Sequence, residues 1–314
     1  MYERFFFLKE KPFHITPDPR FLYLGRKHGE AIELLSYGVK ERKGFILLTG
    51  EVGTGKTTLC RALLDKLPQG TESALILNPM LSDTELLSTI VHDFGLKPSG
   101  MTPRAHIDCL NNFLLERYAS GANAVVIIDE AQHLNQAALE MVRLLSNLET
   151  EREKLLQIVL VGQPELREKL RMNQLRQLNQ RIIIRYHLEA LDLGETADYI
   201  GNRLEVAGCA GSVEFTPDAL RAIHRGSGGI PRMINIVCDR ALTAAYITDK
   251  RLIDRKVTGF ALSELEAEGY IAKGSSGVLA YLEYTPHIAA SMFILALLAG
   301  IFWGPFVLGL GPGH

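Results

Sequence analysis

The sequence predicts an α/β protein: a parallel sheet with helices on both faces, then a small α-helical domain, then a C-terminal transmembrane helix. Three observations carry this. Short aliphatic or β-branched runs at 45–49, 74–78, 124–128, 157–161 and 182–187 alternate with amphipathic helical patterns, the arrangement that builds parallel sheets. Strand signals stop near residue 190, and the pattern over 194–268 is helical. Finally, no Lys, Arg, Asp or Glu follows Glu283.

Taken in order, residues 1–44 are turn-rich (Thr16-Pro17-Asp18-Pro19) and then helical over 28–42. Helices are expected at about 56–67, 84–94, 104–119, 136–149 and 164–172, between the strands. Thr216-Pro217-Asp218 and Pro231 are helix start signals in the second part, punctuated by Gly226, Gly228 and Gly229. The expected domains are 1–190 for the sheet and its helices, 191–268 for the helical domain, a linker over 269–287, and a membrane span over 288–310.

Composition narrows the class. The 314 residues carry 34 Lys+Arg against 36 Asp+Glu, a net charge of −2, with 47% hydrophobic and 22% charged residues. Such a chain is globular rather than disordered. Cys60, Cys109, Cys209 and Cys238 lie far apart with no CxxC pair, which argues against a disulfide scaffold or structural zinc and leaves buried thiols as the expectation. The N-terminal apolar run, Phe5 to Leu8, is too short for a signal peptide. The first 280 or so residues are therefore expected in the cytoplasm.

Gly50-Glu51-Val52-Gly53-Thr54-Gly55-Lys56-Thr57 fits GxxxxGK[ST], with a strand before it and a helix, beginning Thr57-Thr58, after it. Glycines let the backbone curl so that successive N–H groups face phosphate oxygens at a helix N-terminus. Lys56 would pair with the β- and γ-phosphates, and the Thr57 hydroxyl would ligate Mg²⁺. The second half of such a site is an acid at the tip of a neighbouring strand, supplied by Ala124-Val-Val-Ile-Ile-Asp129-Glu130. Asp129 is the candidate for the Mg²⁺ shell and Glu130 the candidate base for the attacking water. Nucleotide binding, with ATP and Mg²⁺ as cofactors, follows.

Two more positions follow from sheet geometry. Gln163 stands at the end of the run 157–161 and could bond the γ-phosphate or the water; otherwise it caps the next helix. Residues 165–187 carry Arg167, Lys169, Arg171, Arg176, Arg181 and Arg185. Most read as a solvated face. Arg181, at the start of the last strand, could instead reach the nucleotide of an adjacent subunit as an arginine finger, a contact worth roughly 10³–10⁵ in rate where it operates. Arg176 and Arg185 are its alternatives.

These residues resemble the AAA+ ATPases over approximately residues 1–268. The P-loop, Ile-Ile-Asp-Glu-Ala-Gln (127–132), Val-Gly-Gln-Pro-Glu-Leu (161–166) and Gly229-Ile-Pro-Arg232 look like Walker A, Walker B, sensor one and sensor two. The resemblance implies that Arg232 touches the γ-phosphate from a lid domain; the bland reading is a surface arginine after a proline turn. Pro12-Phe13, Thr16-Pro17-Asp18-Pro19, Asp129-Glu-Ala-Gln-His133-Leu134 and Pro231-Arg-Met-Ile-Asn235 are similar more narrowly to the general secretion pathway protein A (ExeA-like) ATPases. That family implies a homo-oligomer, ring-forming, working with inner-membrane or envelope export components. Its secretion members continue past a membrane helix into a peptidoglycan-binding domain; this sequence ends four residues after its apolar run, so that activity is not carried over.

Residues 288–310 are 23 consecutive uncharged, mostly apolar positions, long enough as a helix of ~34 Å to cross a ~30 Å hydrocarbon core. The expectation is a single-pass protein of the bacterial inner membrane, N-terminus in and C-terminus out. The resulting functional expectation is a membrane-tethered AAA+ ATPase that hydrolyses ATP to drive or regulate assembly of a secretion, pilus or polysaccharide-export system. The alternative is a DNA-stimulated ATPase of the transposition or initiation type, which the basic stretch favours and the net charge of −2 opposes; nucleic acid is not the expected partner. A third option is a nucleotide switch that rarely hydrolyses.

Overall fold

The computed structural model describes residues 1–16 and 18–271. In chain order the first elements are α1 (Tyr2–Phe5), α2 (Arg26–Lys40), β1 (Phe45–Gly50), α3 (Lys56–Lys66), β2 (Glu72–Ile76) and α4 (Asp83–Asp93). Next come α5 (Pro103–Ala119), β3 (Ala124–Ile128), α6 (Gln136–Leu145), β4 (Gln157–Gly162), α7 (Pro164–Leu170), α8 (Arg176–Arg181) and β5 (Ile182–Leu188). The last are α9 (Leu193–Val206), β6 (Glu214–Phe215), α10 (Pro217–Ser227), α11 (Pro231–Ile247), β7 (Leu252–Ile253) and α12 (Arg255–Ala267). They fall into two compact units: His14–Val206 with Gly228–Asn235, and Met1–Phe13 with Ala207–Ser227 and the described residues from Ile236.

The first unit holds a parallel five-stranded sheet in the order β2-β3-β4-β1-β5. Strands β1, β3 and β4 are buried along their whole length, which is why they are continuous aliphatic runs rather than alternating ones. Successive residues still part to opposite faces. Leu47, Val126, Ile158 and Leu160 join the core formed with α4 to α8. Ile46, Leu48, Val125, Ile127, Val159 and Val161 pack with Leu35 of α2 and Leu59 and Leu63 of α3. Helix starts carry their caps: Ser82 and Glu85 form a capping box at α4, and Thr102 accepts from Ala105 N ahead of Pro103 at α5.

Most boundaries shift from expectation by one or two residues, and two of the differences have a visible cause. β2 runs over Glu72–Ile76 rather than 74–78, because on an edge strand polar Glu72 and Ser73 can pair their backbones with Ala124 and Val125 while their side chains stay half-buried and exposed. α6 ends at Leu145 rather than 149, its C-cap Ser146 being followed by a turn.

The second unit is helical, built from α1, α10, α12 and α11 beyond Asn235. It also contains a parallel pair of two-residue strands, Glu214 with Leu252 and Phe215 with Ile253, too short to leave a period-two signal. The first residues of the chain belong here. The Tyr2 hydroxyl donates to Asp239 Oδ1 at 2.5 Å, Lys9 N donates to Ala207 O at 2.9 Å, and Phe13 meets Phe215 edge to face at 6.4 Å. Burial, then the bond to Asp239, pushes the Tyr2 phenol far above its ordinary range. Among the described residues all four cysteines are free thiols; Cys60 and Cys238 are buried, Cys109 and Cys209 only partly so.

The membrane expectation is corrected. Among the described residues, no helix is long and apolar enough to cross a membrane, so the single-pass, N-in and C-out localisation lacks a spanning element and is withdrawn. The segment 288–310 and nearly all of the linker 269–287 lie outside the described residues.

Candidate nucleotide-binding site

The site forms where β1 gives way to α3. Gly53 and Gly55 adopt φ of +84° and +97°, the left-handed region where a side chain is strained. Gly53 also faces side chains of a distant segment: a Cβ there would lie 2.7 Å from Arg232 Cβ, and Arg232 N donates to Gly53 O at 3.3 Å. Gly53→Ala is therefore expected to lower the stability of this unit by about 1–3 kcal/mol, read as a fall in the urea midpoint.

Lys56 opens α3 and is 5% exposed. Its ammonium donates to Gly50 O at 2.7 Å and to Glu51 O at 2.9 Å, so the side chain folds over its own loop. Burial lowers its pKa, opposed by the nearby charges of Glu130, Asp129 and Glu51. Thr54 Oγ1 donates to Glu51 O at 2.8 Å, closing the turn. His28 of α2, also buried, holds the loop from behind, its Nε2 3.0 Å from Thr54 O. A carbonyl can only accept, so Nε2 carries the proton. Burial holds the imidazole pKa down, which keeps the ring neutral. Sequence reasoning assigned His28 no role; a histidine inside an amphipathic helix leaves no local signal of a loop contact.

The acids stand at the tip of β3. Asp129 is 2% exposed. Its Oδ2 accepts from Thr57 Oγ1 at 2.5 Å and its Oδ1 from Glu130 N at 2.8 Å. Burial raises its pKa, against these bonds and the Lys56 charge, which lower it. Thr57 and Asp129 thus bring two hard oxygen donors together at the head of α3, a donor set that suits Mg²⁺ completed by phosphate oxygens and water.

Glu130 has φ of +50°, an uncommon left-handed conformation for a non-glycine residue that often marks functional strain. Its Oε2 accepts from Gln132 Nε2 at 2.6 Å and from Gln163 Nε2 at 3.3 Å, and Gln132 Oε1 accepts from Gln163 N at 3.1 Å. Gln163 is the N-cap residue of α7 but makes no side-chain cap bond; its amide turns to Glu130 instead. Gln132 is the residue sequence reasoning passed over. It lay in plain sight in Asp-Glu-Ala-Gln, but its bridging of two segments is a tertiary fact.

Val52 to Thr58, Glu130 and Arg232 line one cavity of about 570 Å³. Leu22, Tyr23, Leu191, Tyr199 and Asn235 are among its other lining residues and offer apolar and hydrogen-bonding surface for a base and ribose. Gly50 and Glu51 contribute the carbonyls already described. Arg181 is not in this cavity. Its Nη1 donates to Arg143 O at 3.2 Å, to Asn147 Oδ1 at 2.7 Å and to Ser146 Oγ, so it caps the C-terminus of α6. Arg176 starts α8, and Arg185 lies on β5, donating to Asn179.

Residues 39–170 match the AAA domain family. General secretion pathway protein A of Aeromonas hydrophila is 48% identical over 286 residues, covering 89% of this chain and 52% of that protein. The chain belongs to the AAA+ family of general secretion pathway protein A. It spans about half the length of that relative. Among solved structures, the Aeropyrum pernix ORC2 protein in ADPNP–ADP complexes is similar with a TM-score of 0.60 at 19% identity, covering 82% of this chain and 72% of that one. Cdc6p from Pyrobaculum aerophilum gives 0.56 at 18%, covering 79% and 71%. The RuvB Holliday junction branch migration motor of Thermotoga maritima gives 0.51 at 19%, covering 77% and 70%. At such identities the likeness is one of fold, and it agrees with the parallel AAA+ sheet.

Proposed function

We propose that this AAA+ chain hydrolyses ATP, with Mg²⁺, and uses the cycle to drive or regulate assembly of a cell-envelope secretion, pilus or polysaccharide-export system. The observation that carries the chemistry is the convergence of Lys56, the Thr57–Asp129 pair and the Gln132–Glu130–Gln163 cluster at one end of a parallel sheet. The export setting rests on the 48% identity to general secretion pathway protein A.

In this reading the loop N–H groups from Gly53 to Thr57 and the Lys56 ammonium bind the phosphates, Lys56 exchanging its loop carbonyls for phosphate oxygens. Thr57 and Asp129 would hold Mg²⁺, which neutralises charge on the transferring phosphoryl group when bound. Glu130 accepts a proton from the attacking water, and Gln132 and Gln163 aim its carboxylate. Arg232, on the first turn of α11, senses the γ-phosphate and passes the nucleotide state to the helical unit as a lid. Arg181 would complete the site of a neighbouring copy in a homo-oligomer, releasing α6 to do so.

Phosphate release from ATP tests this. Turnover per subunit is expected to rise with protein concentration, to vanish with EDTA, and to fall by roughly 10³-fold in Arg181→Ala. Concentration-independent turnover, equal in Arg181→Ala, removes the trans role; no hydrolysis by the intact chain leaves a nucleotide switch. Duplex DNA is expected to leave the rate unchanged.

A further inference from the structure

The basic stretch after Gln163 is only partly used by the nucleotide site. Arg167 lies on α7 and Arg171 is its C-cap residue, four positions on and so on the same side of the helix. On β5, Arg185 and His187 are two residues apart and share a face of the sheet. The parallel register with β1 sets Leu47 beside Arg185 and Thr49 beside His187. Together with Asn179 and Tyr186 these side chains line a second cavity of about 360 Å³, with no carboxylate among its described lining residues.

Two parts of the cavity wall are fixed. Thr49 is 1% exposed, and its hydroxyl is 3.1 Å from His187 Nδ1. The Arg185 guanidinium is held by two bonds from Nη2, to Asn179 O at 2.6 Å and to Asn179 Oδ1 at 2.8 Å. Partial desolvation, then repulsion from Arg167 and Arg171, lowers its pKa below the usual arginine value. Three like charges whose shared cavity has no carboxylate in its described lining repel one another, and guanidiniums meet phosphate oxygens with paired N–H donors.

We infer that this cavity between α7 and β5 is a second anion site, distinct from the P-loop, that binds a small multiply charged phosphate compound. Its ligand is of the pyrophosphate class: several phosphate oxygens for three guanidiniums, with the buried Thr49 hydroxyl at the back wall and the exposed His187 ring beside it.

The test is calorimetric titration of pyrophosphate into the full chain saturated with ADP, so that the P-loop is filled, using the wild type and Arg171→Gln/Arg185→Gln. Wild type is expected to bind one equivalent, and the double variant at least about tenfold more weakly, with ADP affinity equal in both. The two arginines are exposed, so the fold should survive; Arg167→Gln, expected to weaken binding severalfold, is the second variant should the double one unfold. No binding by ADP-saturated wild type overturns the inference, as does equal binding by the variants or a parallel loss of ADP affinity. Single-stranded DNA binding more tightly than pyrophosphate, with the same dependence on Arg171 and Arg185, would replace the small ligand by a polymer and equally overturn it.

Discussion

Glu130→Gln is expected to lower ATP turnover by about 10²–10⁴-fold while leaving nucleotide affinity close to that of the wild type. The substitution keeps shape and removes the one property the role requires, a carboxylate that can take a proton. The carboxylate is prepared for it: Oε2 is held from two sides by Gln132 Nε2 at 2.6 Å and Gln163 Nε2 at 3.3 Å, on a residue whose backbone stands at φ +50°. Binding should persist because Lys56, Thr57 and the loop amides are untouched. Phosphate release, with fluorescent ADP binding as the control, separates the two effects. A variant that turns over at the wild-type rate would give the proton to another group.

Lys56→Ala is expected to remove about 10²–10³-fold in ATP affinity and to leave no measurable hydrolysis. One charge pair at contact distance near a protein surface contributes about 4 kcal/mol, close to three powers of ten. Lys56 is only 5% exposed, so its charge is less screened than a surface lysine's. Alanine also leaves Gly50 O and Glu51 O without the donor that organises the loop. Equilibrium binding of ATP, with a melting curve to establish folding, checks this. Undiminished affinity would place the nucleotide elsewhere.

Much of the site was legible because it is local. The interval from Gly50 to Thr57 spans one strand–loop–helix turn, and each fixed position has a reason that neighbours in sequence supply. The acids at 129 and 130 were legible for the same reason, since a fully buried strand must end where carboxylates begin. Gln163 could be placed beside them by sheet geometry, yet its alternative as a helix cap was open until its amide was seen to reach Glu130. His28 and Gln132 were missed because their partners, Thr54 and Gln163, lie 26 and 31 positions away. The membrane localisation is overturned differently: among the described residues there is no spanning helix, and the uncharged run 288–310 lies outside them.

What the sequence determined by itself was the α/β class, the strand positions to within about two residues, and the P-loop with its acid pair. Hydrophobic burial and glycine geometry act over a few residues, and so they are written in short intervals. What only the tertiary structure decided was which distant side chains meet. It put residues 1–13 with the helical unit, turned Arg181 onto the end of α6, and gathered Arg167, Arg171 and Arg185 into one cavity. Those outcomes depend on strand order and register, through which residues far apart in the chain become neighbours.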